Sequence, residues 1–213
     1  MKHSITLIHA LAESVGPIEL AFAEHWPAAI LRSILDDGLS QILGEQGVLD
    51  DAMISRFRAL GRYAAIDEPS AILFTCSAFG GAIETVRRDL APLPVRAPNE
   101  AMVRQASQIG GRIALIASFA PTLSSMPKEF PVGTDLVPVY VEGALGALRA
   151  GDAEGHDRLV MSAALATKAD VYALSQFSLA RAAATLRLQT DKPVLTTPEA
   201  AVIDLRDTLA SLE

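Results

Sequence analysis

The sequence contains one cysteine, Cys76, in 213 residues. A single thiol cannot form an intramolecular disulfide, and it excludes a cysteine-rich metal site. Long apolar runs are also missing, since the longest uncharged stretches, residues 69–83 and 113–127, both contain proline. Both are shorter than the roughly 18–20 apolar residues that a bilayer span needs. We therefore expect a soluble protein with no membrane partner.

Basic residues are too few for a protein that binds nucleic acid. Lys and Arg number 18 against 25 Asp and Glu, which gives a formal net charge of -7. This charge repels a phosphate backbone, so we expect no nucleic-acid partner. The first residues also lack the long apolar stretch of a secretory signal and become acidic at Glu13. We expect a cytoplasmic protein.

Short apolar runs alternate with longer segments of helical period, which is typical of an α/β fold with a mainly parallel sheet. The strands are too apolar to leave one face in water, so we expect helices on both faces. Residues 30–35 fit either a strand or a helix. Long helices are predicted at residues 50–65, 152–168 and 178–188, with Asn99 and Thr197 as caps of two others. The predicted strands are residues 4–9, 71–75, 94–96, 112–117, 136–141, 170–174 and 193–196.

Two passages about a hundred residues apart suggest an internal duplication. Residues 71–77 and 170–178 each read as an apolar strand that delivers small hydroxyl residues into the start of a helix. This is the place where α/β folds bind ligands and where backbone N–H groups attract anions. Cys76 lies at the first of these junctions, and a helix N-terminus lowers the pKa of a thiol. Its position alone fits a buried structural cysteine at least as well.

Four segments together resemble the aspartate/glutamate/hydantoin racemase superfamily. They are residues 73–80 (LFTCSAFG), 98–102 (PNEAM), 110–117 (GGRIALIA) and 193–198 (PVLTTP). The resemblance implies two pseudo-symmetric α/β lobes, each a mainly parallel sheet flanked by helices, with the active site in the cleft between them. It also implies a small carboxylate substrate, no cofactor and a homodimer. We place lobe one at residues 1–97 plus 196–213 and lobe two at residues 98–195.

Racemases of this superfamily use two cysteines, one per lobe, to move a proton between opposite faces of the substrate α-carbon. The resemblance assigns Cys76 to the first cysteine position. Counting from Asp170 places Gln176 at the second, and a shift of one residue would place Phe177 there. Because Cys76 is the only thiol, a two-thiol racemase within one subunit is excluded.

Three interpretations remain open. The leading one is cofactor-independent proton transfer at the carbon α to a carboxylate, with Cys76 as acid or base and His9 in place of the missing thiol. His9 also fits a hydrogen-bonded structural histidine near a strand end. The second is a decarboxylase of a malonate-type acid, which resembles superfamily members that use one cysteine, although theirs is in the second lobe. The third is a small-carboxylate-binding protein without turnover.

Small polar residues at strand ends and helix starts can bind a carboxylate without a fixed cation, although each one also fits a helix cap. We predict no metal site, because the paired acidic residues lack nearby histidines. His25 and His156 are predicted as surface or helix-end residues. The predicted substrate-binding residues are Thr75, Ser77, Ser118, Thr122, Ser175, Gln176, Ser178 and Thr197.

Overall fold

The computed structural model describes residues 3–211 and divides the chain into two compact units. The first unit comprises Met1–Pro98 and Val202–Glu213, and the second comprises Asn99–Ala201. The structure therefore divides the chain after residues 98 and 201, whereas the sequence predicted divisions after residues 97 and 195. Within residues 3–211, no helix has both the length and the hydropathy needed to cross a membrane.

The first unit contains a four-stranded parallel sheet in the order β2-β1-β3-β4. Residues 30–35, which the sequence left open, form β2 at the edge of this sheet, paired with β1 along its whole length. The strands are β1 (Ser4–His9), β2 (Ile30–Leu35), β3 (Ala71–Phe74) and β4 (Val95–Arg96). The helices are α1 (Val15–His25), α2 (Gly38–Gln46), α3 (Asp51–Ala65) and α4 (Gly80–Leu90), with a 3₁₀ turn at Ala12–Ser14.

The second unit contains another four-stranded parallel sheet in the order β6-β5-β7-β8. Its strands are β5 (Ile113–Ala117), β6 (Leu136–Tyr140), β7 (Val171–Leu174) and β8 (Val194–Thr196). Its helices are α5 (Glu100–Ile109), α6 (Ala120–Ser125), α7 (Ala144–Arg149), α8 (Ala153–Ala166) and α9 (Ala183–Arg187). The last helix, α10 (Thr197–Ala210), begins in this unit, and 3₁₀ helices occupy Met126–Glu129 and Phe177–Ala182.

The two sheets repeat the same strand order and the same pairing register. The last paired residues of β1 and β3 are Ile8 and Phe74, and those of β5 and β7 are Ile116 and Leu174. Counting onward from these pairs, Cys76 and Gln176 occupy corresponding positions in the two units. The register therefore selects Gln176 over Phe177 as the counterpart of Cys76.

Both faces of the second sheet are covered by helices, as the apolar strands predicted. Ile116 and Leu174 pack with Val160 of α8 in one buried cluster, whereas Leu115 and Ala173 belong to a second cluster with residues of α5. Burying a side chain of this size contributes roughly 1.5–3 kcal/mol. The carboxyl ends of the strands are left as the sites where polar side chains gather.

Three details of the helix starts and ends differ from the sequence-based expectation. Thr197 is the first residue of α10 rather than its cap, and the hydroxyl of Thr196 instead donates to Glu199 Oε2 at 3.4 Å. Thr196 and Glu199 have the i, i+3 spacing of a capping box, although their observed bond joins the two side chains. Asn99 donates from Nδ2 to Glu129 Oε1 at 3.2 Å instead of capping α5 with its side chain. The helix predicted at residues 178–188 is a 3₁₀ segment followed by α9.

Candidate functional site

Cys76 lies just past the carboxyl end of β3, and its side chain is buried with 7% exposure. Burial raises the pKa of the Cys76 thiol to about 11, while a hydrogen bond from the Ala78 backbone and the Ser40 hydroxyl act in the opposite direction. The Ser40 Oγ atom is 4.0 Å from the sulfur. The thiol is therefore protonated at neutral pH. The Ser40 hydroxyl and the Ala78 backbone lie where they can hydrogen-bond to a thiolate.

His9 ends β1 and is fully buried in a network of hydroxyl groups. Its Nδ1 atom is 2.8 Å from Thr75 Oγ1 and 3.2 Å from Ser14 Oγ, and its Nε2 atom is 3.3 Å from Ser33 Oγ. Ser14 donates its hydroxyl proton to Leu11 O, so the Ser14 oxygen is an acceptor within this network. Burial lowers the pKa of His9 to about 4, so the ring is neutral at pH 7.

This network connects His9 to the backbone beside the thiol. Thr75 precedes Cys76, and its hydroxyl lies within hydrogen-bonding distance of both His9 and Ser14, at 3.0 Å from the latter. The Thr75 side chain, which the sequence assigned to the substrate, is thus bonded to the protein itself. Ser77, on the other side of the cysteine, is buried with 5% exposure.

Gln176 holds the corresponding junction in the second unit. Its Oε1 atom accepts hydrogen bonds from Ser118 N at 2.5 Å, Phe119 N at 3.2 Å and Ser118 Oγ at 3.2 Å. These donors follow the carboxyl end of β5, where the sequence predicted an anion site. The amide oxygen of Gln176 occupies that site, and the Ser118 hydroxyl already donates to the same oxygen.

The other predicted hydroxyls of the second unit divide into two groups. Ser175 donates to Ile116 O at 2.6 Å, and Thr122 is fully buried within α6. Ser178 Oγ and Thr197 Oγ1, in contrast, are buried and have no hydrogen-bond partner among residues 3–211. Buried hydroxyls are nearly always hydrogen-bonded, so these two are the stronger candidates for contact with a ligand.

Two polar clusters of the second unit were not predicted from the sequence. Burial raises the pKa of Glu129 to about 7, against the lowering effect of its hydrogen bond from Asn99. His156 was predicted as a surface or helix-end residue; it lies near the start of α8 and is fully buried, with Nδ1 2.8 Å from Asp157 Oδ1. The stripe of buried residues at His156, Val160 and Ala164, four residues apart, is the signal that could have placed His156 inside.

A groove of about 740 Å³ opens at the opposite, amino-terminal edge of the second sheet. Two of its charged side chains, Arg112 and Asp135, form a salt bridge at 3.0 Å, and Asp170 accepts from the Arg112 backbone N–H at 2.9 Å. Within the part of the chain that the structure describes, no group of three or more His, Cys, Asp or Glu residues could hold a metal ion.

Comparison with solved structures identifies the architecture. Glutamate racemase from Thermus thermophilus superposes with a TM-score of 0.75 at 14% identity, over 99% of this chain and 82% of that chain. Aspartate racemase from Picrophilus torridus gives a TM-score of 0.73 at 11% identity, over 98% and 94% of the two chains. This is the racemase fold.

The racemase fold also occurs in a protein named for a different reaction. A glycine-to-cysteine mutant of arylmalonate decarboxylase, in its sulfate-associated form, matches with a TM-score of 0.65 at 16% identity, over 97% of this chain and 93% of that chain. No protein-family model and no curated protein matches the sequence. The likeness therefore establishes the racemase fold, and the chemistry has to be argued from the residues.

Proposed function

We propose that the protein catalyses cofactor-independent proton transfer at the carbon α to a carboxylate of an amino acid or related small acid, with Cys76 as the proton donor. The observation that carries this proposal is the position of Cys76, just past the carboxyl end of β3 with Ser40 Oγ 4.0 Å from its sulfur. The pKa of about 11 keeps the Cys76 thiol protonated at neutral pH, while hydrogen bonds with Ser40 and the Ala78 backbone stabilise the thiolate form. A general acid carries its proton in the free protein and needs its conjugate base stabilised in the transition state.

For the isomerase-type reaction the Cys76 thiol first loses its proton to solvent, and the thiolate then takes the α-proton. The C–H bond breaks, an S–H bond forms, and the electron pair of the C–H bond remains at the α-carbon as a carbanion or enolate. The S–H bond of Cys76 breaks, its proton forms a C–H bond at that carbon, and the electron pair stays on sulfur. The thiolate then takes a proton from solvent. Hydrogen bonds to the developing thiolate lower the barrier because they strengthen as charge accumulates.

We assign His9 a positioning role instead of the acid/base role that the sequence suggested. Both of its ring nitrogens are engaged with hydroxyl groups, and its pKa of about 4 makes it a weak base at neutral pH. Through Thr75 Oγ1 it fixes the backbone next to the thiol. The orientation of Cys76 then depends on His9 without any proton passing through the ring.

The substrate carboxylate is expected to bind hydroxyl groups and backbone N–H groups at helix starts. Thr197 is the best supported of these, because its fully buried Oγ1 has no partner among the residues that the structure describes and lies at the first residue of the 14-residue helix α10. The positive end of that helix favours an anion.

A second candidate function, decarboxylation, is favoured by the residue of the second unit that corresponds to Cys76 in the duplication. Gln176 occupies the corresponding position, and its carboxamide is neither an acid nor a base at neutral pH. One thiol is sufficient when the C–C bond to a carboxylate breaks, carbon dioxide leaves, and the electron pair remains as an enolate. Cys76 would then protonate that enolate on one face.

A substrate panel in heavy water separates these functions. We expect the protein to incorporate deuterium at the α-carbon of one acid from a panel of amino acids, 2-hydroxy acids and substituted malonates, followed by NMR. Deuterium incorporation without loss of carbon dioxide supports the isomerase-type reaction. Release of carbon dioxide from a malonate supports the decarboxylase. Neither outcome with any acid, despite measurable binding, would overturn catalysis and leave a binding protein.

A further inference from the structure

Strand β2 leaves one edge of the first sheet open. It is the outermost strand, and among residues 3–211 it pairs only with β1. The first bond to β1 runs from Ile30 N to His3 O, and the last runs from Asp36 N to His9 O. Because backbone groups alternate between the two sides of a strand, every second residue between these bonds points its N–H and C=O groups away from β1. Four of the six side chains of β2 are exposed, so this edge is accessible. The outward-facing residues are Leu31, Ser33 and Leu35.

The other edge strands of the two sheets are protected against pairing. β4 and β8 have only two and three residues. β6 is longer, and it bonds to β5 through Asp135 O and Val141 N, which places Pro138 on its outward side. Proline has no N–H to donate to a further strand. β2 contains no proline, so within residues 3–211 it is the edge strand best suited to pair with another chain.

Ser33 occupies the position in the first unit that Pro138 occupies in the second. Ser33 pairs with Leu7 of β1, and Pro138 pairs with Leu115 of β5. Leu7 and Leu115 each lie one residue before the last residue that their strand pairs with the next one, β3 or β7. The proline that blocks the edge in the second unit is therefore replaced in the first unit by a residue with an outward N–H group.

The charges along this edge are complementary to those of a second copy. Arg32 lies two residues before Ile34, and Asp36 lies two residues after it. A two-fold axis through Ile34 therefore places Arg32 of each copy opposite Asp36 of the other. It also places Ser33 opposite Leu35, so that two outward-facing pairs exchange two backbone hydrogen bonds each. An axis through Arg32 would oppose two like charges, and an axis through Ser33 would oppose Arg32 to Ile34.

We propose that β2 is a dimerisation edge, on which β2 of a second copy of this chain pairs in the antiparallel direction with Arg32 of each copy facing Asp36 of the other. Two four-stranded sheets then continue into each other across the axis. Arg32 also contacts Asp67, and Asp36 contacts Arg56, so each charge has a partner within the chain and one across the axis. The dimer does not depend on Cys76 or on the reaction proposed above.

Two charge variants test this pairing and its register in analytical ultracentrifugation. Arg32→Asp opposes acidic residues across the axis, and Asp36→Arg opposes basic ones, because each pair occurs twice. We expect each variant alone to sediment as a monomer of 22.5 kDa at concentrations where the wild type has twice this mass. An equimolar mixture of the two variants should sediment as a dimer, because every acidic residue then faces an arginine. Circular dichroism should show that both variants are folded.

A change at Ser33 tests the backbone hydrogen bonds. Ser33→Pro gives β2 the proline of β6 and removes the outward N–H group, so we expect a monomer. Ser33→Ala is the matched control, because it loses the hydroxyl that lies 3.3 Å from His9 Nε2 but keeps the N–H group, and it should remain a dimer. A monomeric wild type, a Ser33→Pro dimer as tight as that of the wild type, or a mixture of the charge variants that stays monomeric would each overturn the proposal.

Discussion

At the residue scale, Cys76 shows how burial and polarity act together on one side chain. Burial lowers the thiolate fraction and so makes the thiol less reactive, and the raised pKa of about 11 reflects this burial. Ser40 and the Ala78 backbone oppose this effect, as expected of a site where a thiolate forms for a short time. The sequence predicted the junction that holds Cys76, but a helix N-terminus suggested a lowered pKa. The desolvation that reverses the sign depends on residues far apart in the chain.

The first prediction concerns the reactivity of this thiol. A pKa of about 11 in place of the ordinary 9.0 lowers the thiolate fraction at pH 8 roughly a hundredfold. We therefore expect a disulfide reagent such as DTNB to label native Cys76 at least on the order of 100 times more slowly than the chain unfolded in guanidinium. The single cysteine makes the assay unambiguous, with Cys76→Ala as the blank. Equal labelling rates would show a thiolate in the native protein.

A second prediction uses the raised pKa of Glu129, about 7 against the ordinary 4.5. Between these values the folded state binds the proton more tightly than the unfolded chain, so its stabilising contribution is complete below pH 4.5 and is lost as the pH rises through 7. Glu129→Gln removes this dependence and keeps an oxygen to accept from Asn99. We expect its melting temperature to match the wild type near pH 5 and to exceed it by roughly 2–5 °C at pH 8.

Glu154→Gln is the matched control for this experiment, because the Glu154 side chain is 90% exposed. We expect its melting temperature to follow that of the wild type from pH 5 to pH 8. If the melting temperature of Glu129→Gln differed from that of the wild type by the same amount at every pH in this range, the pKa of the Glu129 carboxyl group would not be perturbed.

At the element scale, the loop after β5 depends on one side chain from the other strand junction. The Gln176 amide oxygen satisfies Ser118 N, Phe119 N and Ser118 Oγ. Replacing it by leucine keeps the volume and leaves these donors buried without an acceptor. We expect Gln176→Leu to lower the free energy of unfolding by about 1–3 kcal/mol in urea titrations.

Gln189→Leu serves as the control, since Gln189 is exposed in the loop after α9, and Gln176→Glu should recover much of the loss because it restores an acceptor. A Gln176→Leu variant as stable as the wild type would show that the loop donors find other partners.

Element types followed from the sequence because apolar runs and their spacing report burial directly. The seven predicted strands all appear, within one residue at either end, and residues 30–35 were ambiguous because β2 is an edge strand with mixed exposure. Helix caps were less accessible. Asn99 and Thr197 have cap sequences, but Asn99 bonds to the distant Glu129, and Thr197 is the first residue of α10.

At the scale of the whole molecule, the duplication is stronger in geometry than in sequence. The two sheets share strand order and register although their residues differ, which is why the counterpart of Cys76 could be read only as Gln176 or Phe177 before the register was known. Several hydroxyl groups at strand ends, which the sequence predicted as ligands of a carboxylate, are already hydrogen-bonded within the protein. His156 was missed because its burial depends on the packing of α8 against the 3₁₀ helix.

The most direct test of the account compares turnover by the wild type and two Cys76 variants in heavy water, with the acid that the panel identifies. If the Cys76 thiol donates the proton, Cys76→Ala and Cys76→Ser should both lose α-carbon deuteration by roughly 10²- to 10⁴-fold, the contribution expected of a general acid. Their melting temperatures should stay close to the wild type, because one buried sulfur is exchanged for a small side chain. Deuteration by folded Cys76→Ala at the wild-type rate would contradict the account.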